Sequence, residues 1–200
     1  MNHEPHKDYA GAKLGMWLFL FTEILLFGGL FILYAVYLAR YPQEFSSGGQ
    51  QLNVVLGGTN TFLLVTSSLF AAMALTAIQQ DKPQLTLKLI GGTIVCAAGF
   101  MVIKFFEWSA KFHHGIFPGS EHILKGSPGE SVFFSLYFLS TGIHGLHVLI
   151  GATLLAVVAY RVKKRTITST DFVILENSVL YWHLVDLVWI FIFPLYYLML

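Results

Sequence analysis

Six ionisable side chains stand inside long apolar runs of this 200-residue chain: Glu23, Glu107, His144, His147, His183 and Asp186. Carboxylates and imidazoles are costly at membrane depth, so each implies packing against a polar partner, proton handling or ligation. His144 and His147 lie three residues apart, which on a helix puts them on one face. Glu176, His183 and Asp186 share another face at i, i+7 and i+10. Three kinds of chemistry are open to such a set. Hydrogen bonds between spans would make it a glue that holds helices together. Carboxyl–imidazole contacts would make it a proton path or a lipid-headgroup site. Two histidines on facing helices, His144 or His147 with His183, would suit bis-histidine haem or a metal.

The elements that must carry these groups follow from composition. The chain is 56% hydrophobic and only 12% charged, about half the charged fraction of an average soluble domain. Its apolar runs are continuous and long enough to cross a bilayer, which predicts helices. Alternating patterns, as in a membrane β-barrel, are absent from them. The expected fold is all-α: a polytopic membrane protein of five transmembrane helices in a single domain over residues 1–200. The spans are about 14–38, 53–79, 85–110, 131–160 and 172–199. Eight basic residues (Lys7, Lys13, Lys82, Lys88, Arg161, Lys163, Lys164, Arg165) fall on one side of these spans and four (Arg40, Lys104, Lys111, Lys125) on the other. That excess predicts an N-terminus inside and a C-terminus outside. At about 1.5 Å rise per residue, Glu23, His144 and His183 reach a similar depth, so they are expected to meet. Asp186 lies one turn further out and Glu107 near the outer rim.

Smaller signals complete the reading. The first apolar run lacks a small-residue cleavage site and is expected to remain as an anchor. Gly142, Gly145 and Gly151 leave room for a neighbouring helix. Gly57, Gly58, Thr59, Asn60, Thr61, Thr66, Ser67 and Ser68 suit close packing and interhelical hydrogen bonds. Glu107 can pair with Lys104 or Lys111 at i−3 or i+4. Trp108 reads as an interface anchor, Ser46 to Gln51 as a loop, and Pro194 as a kink in the last span. Cys96 has no partner for a disulfide and reads as a small core residue. His113, His114 and His122 read as a solvated loop and not a metal site. No phosphate loop, nucleophile elbow or cysteine cluster is present, so the chain carries no redox or hydrolytic chemistry alone. The net charge of +1 gives no sign of a nucleic-acid partner.

Several stretches resemble subunit III of the haem–copper cytochrome oxidases. Met16-Trp17-Leu18-Phe19-Leu20-Phe21-Thr22-Glu23-Ile24-Leu25-Leu26-Phe27 is similar to the family's helix with a buried glutamate. Leu52-Asn53 through Asn60-Thr61-Phe62-Leu63-Leu64 is similar to its next helix, and Glu107-Trp108 to its Glu-aromatic pair. Thr141-Gly142-Ile143-His144-Gly145-Leu146-His147-Val148 and Tyr181-Trp182-His183-Leu184-Val185-Asp186-Leu187-Val188-Trp189 are the most specific matches. The resemblance covers about Leu14 to Leu198 and is to the five-helix bacterial form. It implies an accessory subunit of a proton-pumping terminal oxidase in a bacterial inner membrane, catalytic only as part of the complex. No cofactor is implied in this chain; haem and copper would lie in the partner subunits I and II. Membrane phospholipids and other respiratory-complex subunits are further implied partners. It further implies that Glu23 is the reactive buried carboxylate and not an essential pump residue. A quinol-oxidase subunit III or a nitric-oxide-reductase accessory protein is the alternative within the family. A stand-alone haem-binding electron carrier is the alternative outside it.

Overall fold

A computed structural model of the chain describes residues 8–120, 123 and 126–198. Helix α1 spans Tyr9–Arg40, α2 Pro42–Gln50, α3 Val54–Gln79, α4 Pro83–His113, α5 Pro128–Lys163 and α6 Val173–Phe193; α6 continues as a π-helical turn over Pro194–Leu198. Five of these are long and apolar enough to cross a membrane, α6 together with its π turn counting as one. His122 and Lys125 lie outside the described residues, as do residues 1–7 and 199–200.

Local sequence sets each boundary. Asp8 caps α1 by accepting the Gly11 N–H at 2.8 Å, which starts the helix before its apolar run. Tyr41 precedes Pro42, a position that disfavours helical backbone, and α1 stops there. Asn53 caps α3 through the N–H groups of Val55 and Leu56 at 3.0 and 3.1 Å. Ser127 caps α5 through Glu130 N at 3.2 Å, with Pro128 at the first helical position where its missing N–H costs nothing. Gly115, with φ 70°, closes α4 in a left-handed conformation that a side chain would disfavour.

The stretch expected as a loop before Asn53 is helical. Pro42 starts α2, and its Phe45, 1% exposed, inserts edge-on between Tyr34 and Phe133. Gly48 rests on the Phe133 ring so closely that a Cβ there would lie 2.4 Å from the ring. The glycine-rich composition therefore reflects tight packing against α5, a cause indistinguishable from loop chemistry in sequence.

α3 and α4 form an extensive antiparallel pair, α5 packs on α4, and α6 lies between α3 and α5. α1 closes the other side against α5 and α6. The core sits on α6: 56% of its apolar window is buried inside the chain, against 17% for α1. Trp17, Leu18, Phe21, Leu25, Ile32 and Val36 of α1 point away from the bundle, as expected of a face solvated by lipid. Three bonds from small hydroxyls of α3 dock α6: Trp182 Nε1 donates to Ser67 Oγ at 3.0 Å, Trp189 Nε1 donates to Thr61 Oγ1 at 3.0 Å, and His183 Nδ1 lies 2.6 Å from Ser68 Oγ. Thr59 and Thr66 instead bond back to their own helix.

Of the three glycines expected to admit a neighbour on α5, Gly151 is the tightest. A Cβ there would meet Trp182 Cε3 at 2.8 Å, while Gly142 faces Trp108 at 3.3 Å and Gly145 faces Met101 at an ordinary 4.0 Å. The Trp182 indole is held by Ser67 and cannot swing aside. Gly151→Ala is expected to cost about 1–3 kcal/mol through overpacking, read as a lowered unfolding midpoint; Gly145→Ala should leave it unchanged.

Candidate functional site

The six sequence candidates separate into three environments. The first lies toward the C-terminal end of α4. Lys104 Nζ donates to Glu107 Oε2 at 2.9 Å, to Tyr197 Oη at 2.9 Å and to Tyr137 Oη at 3.3 Å. Both hydroxyls donate on to Glu107 Oε1, at 2.7 Å from Tyr197 and 3.0 Å from Tyr137. An ammonium has three donors, and all three are used. Nζ also sits 5.1 Å from the centroid of Trp189, 5.2 Å from Tyr137 and 5.5 Å from Tyr197, within cation–π range. Lys104 and Glu107 are 6% and 5% exposed. Glu107 thus faces the bundle interior near one end of its helix, and Trp108 packs between helices on Phe138 and Gly142. Of its two candidate lysines Glu107 takes Lys104. Lys111 turns instead to the Gln51 carbonyl at 3.4 Å and lies over the Phe134 and Tyr137 rings.

This network holds charge in place. Each member is committed to another, and it ties α4, α5 and the π turn together. Sequence reasoning missed Tyr137 and Tyr197. Tyr137 precedes His144 by seven residues, so helical periodicity puts both on one side of α5. Tyr197 depends on Pro194: the π turn that follows the proline brings both Tyr196 and Tyr197 to the interior. Tyr196 meets Ser140 Oγ at 3.0 Å, and Tyr34 of α1 donates to the Leu195 carbonyl. The expected kink at Pro194 takes the form of this wider turn.

The second environment joins α1 to α5. Glu23 Oε2 lies 2.8 Å from His147 Nε2, and His147 Nδ1 lies 2.7 Å from the Ile143 carbonyl. A carbonyl only accepts, so Nδ1 carries a hydrogen. The Glu23–His147 contact then holds one proton, on the carboxyl or on the ring. Either placement leaves the same net charge, so the proton can be shared without charging the membrane interior. Tyr181 stacks on the imidazole at 6.3 Å and Phe27 meets it edge-on at 5.2 Å. The two side chains keep 14% and 12% exposure, against 7% and 4% for Lys104 and Glu107.

The third environment is the interior between α3, α4, α5 and α6. His144 is fully buried, edge-on to Phe100 at 5.5 Å and tilted on Trp189 at 5.2 Å. Asp186, 3% exposed, lies one turn before Trp189 on α6. The expected meeting of Glu23, His144 and His183 does not occur. α5 is wedged between α1 and α4, so residues three apart on it face different neighbours: His147 reaches α1, His144 looks toward α4 and α6. His183, half-buried, belongs to Ser68 of α3. Each imidazole thus has its own neighbours: His147 has Glu23, His183 has Ser68, and His144 has the Phe100 and Trp189 rings. Among the described residues, His113 and His114 end α4 exposed, and Cys96 is a half-buried free thiol.

A groove of about 670 Å³ separates α4 from α5 on the outer surface, lined by Met101, Phe105, Trp108, Gly142, Gly145 and Leu149 among others.

Comparison with known proteins bears on what these environments serve. The family model described as cytochrome c oxidase subunit III matches residues 2–199. A cytochrome bo(3) ubiquinol oxidase subunit 3 of Pseudomonas putida is 32% identical over 97% of this chain and 88% of its own length. A cytochrome c oxidase subunit 3 of Synechocystis is 31% identical over 98% of this chain and 78% of its own. A haem–copper oxidase subunit I+III of Aeropyrum pernix is 27% identical over 93% of this chain, within 22% of its own length. With a family match over nearly its whole length and relatives above 30% identity over most of both chains, the chain belongs to the cytochrome c oxidase subunit III family.

Proposed function

We propose that this chain is the accessory subunit III of a proton-pumping haem–copper terminal oxidase in a bacterial inner membrane. It contributes assembly, stability and proton-supply support to the catalytic subunit. Haem, copper and oxygen reduction belong to subunits I and II, and the electron donor, cytochrome c or quinol, docks on those partners. The fusion name of the Aeropyrum relative, subunit I+III, supports direct contact with subunit I. The excess of basic residues beside Lys13, Lys82 and Arg161–Arg165 supports an inside N-terminus. Lys104 and Lys111 are sequestered in the bundle, which leaves fewer free cations on the opposite side and sharpens the asymmetry. Hydrocarbon chains of membrane phospholipids fill the α4–α5 groove and cover the outer face of α1.

The observation that carries this reading is the contrast between the two carboxylates. Glu107 is locked by Lys104 and two tyrosines, while Glu23 shares one proton with His147 on a partly open face. A group that must hold structure and a group that must exchange protons would differ in this way. Glu23→Ala is expected to leave haem content of the complex unchanged and to shorten the period over which turnover is sustained. Loss of haem from the complex in that variant would refute the accessory role, and full durability with normal haem would remove Glu23 from proton supply.

A further inference from the structure

Among the described residues, eight buried side-chain nitrogen and oxygen atoms have no hydrogen-bond partner within the chain, and six of them belong to Asn60, His144 and Asp186. All three residues are at most 3% exposed. All three can be placed relative to Trp189. His144 packs on the Trp189 ring at 5.2 Å. Asn60 adjoins Thr61, which accepts the Trp189 N–H. Asp186 precedes Trp189 by one helical turn on the same side of α6. A buried polar atom left without a partner is costly, and polar interiors with room for it take up ordered water to avoid that cost. His144 is clamped by Phe100 and Trp189, and the Ser68 hydroxyl beside Asp186, shared with His183 at 2.6 Å, has a single hydrogen to give to a carboxyl with two acceptor oxygens.

We propose that the core around Trp189 is an internal water-binding site, in which bound waters bridge Asn60 of α3, His144 of α5 and Asp186 of α6. The ligand is water itself, held by two acceptors on Asp186, a donor and an acceptor on Asn60, and one of each on neutral His144. Elsewhere in the interior, the Lys104 network and the Ser67–Trp182 and Ser68–His183 contacts are hydrogen-bonded within the chain. It needs only the folded bundle and stands whether or not the oxidase reading holds.

The test is a single-particle cryo-microscopy reconstruction of the native membrane complex containing this chain, at a resolution that shows ordered water. Density within hydrogen-bond distance of all three side chains is expected. Side chains repacked into direct protein hydrogen bonds, or an empty polar gap, would overturn the proposal. A second measurement guards against ambiguous density. In the same complex, Asn60→Leu and His144→Phe remove a polar group at nearly constant volume. In a hydrated site each strands the remaining waters, and the unfolding midpoint of this chain falls by about 3 °C. In a dry site each removes an orphaned group, and the midpoint rises or holds, which sinks the idea.

Discussion

Replacing Lys104 with methionine is expected to lower the stability of the bundle by about 3–5 kcal/mol, because it leaves the Glu107 carboxylate buried without its cation. The ammonium is saturated by Glu107, Tyr137 and Tyr197, so its removal opens bonds on three elements at once. Glu107→Gln should cost a comparable amount by leaving the ammonium unpaired. The double variant Lys104→Met/Glu107→Leu is expected to cost less than the sum of the two singles, since a buried ion pair contributes little beyond an apolar replacement once both charges are gone. The readout is the thermal midpoint of this chain in the purified complex, with a shift of about 10 °C for each single variant. Strict additivity would show that the two side chains do not act as a pair.

The second large effect is expected at Trp182. Its ring is fully buried, rests on Gly151 and donates to Ser67. Trp182→Ala should cost about 3–5 kcal/mol through the cavity it leaves at the α3–α5–α6 junction. The hydroxyl is not the source of that loss: Ser67 Oγ keeps its bond to the Leu64 carbonyl at 2.6 Å. Trp182→Phe, which retains most of the volume and drops only the N–H, should therefore cost about 1 kcal/mol. Chemical denaturation of the complex in detergent compares the two. Equal losses would mean that the hydrogen bond, and not the filled volume, anchors α6. The cavity lies where a Cβ on Gly151 would collide in the wild type, so Trp182→Ala/Gly151→Leu should recover part of the stability lost by the single variant.

The span count was legible because continuous apolar runs of this length leave the backbone one way to satisfy itself in a bilayer, as helices. α1 and α5 begin at Tyr9 and Pro128, ahead of the expected starts at 14 and 131, because Asp8 and Ser127 reach the first free N–H groups; Asn53 caps α3 where that span was expected to begin. Glu23, Glu107, His144, His147, His183 and Asp186 were identifiable as unusual by cost alone. Depth along each span could be reckoned, but azimuth could not: rise per residue is a property of one helix, whereas the direction a side chain faces depends on which neighbour lies there. That is why Glu23 was matched to His144 and is found with His147, one turn away. The same limit hid α2, where glycines serve contact with Phe133, and the Lys104 network, whose Tyr137 and Tyr197 come from elements 60 residues apart in the chain. Composition and periodicity determined that this protein crosses the membrane as helices with ionisable groups inside. Only the packing of α5 between α1 and α4, and the wider turn after Pro194, decided which of those groups is locked in a saturated network and which keeps a single partner on a partly open face.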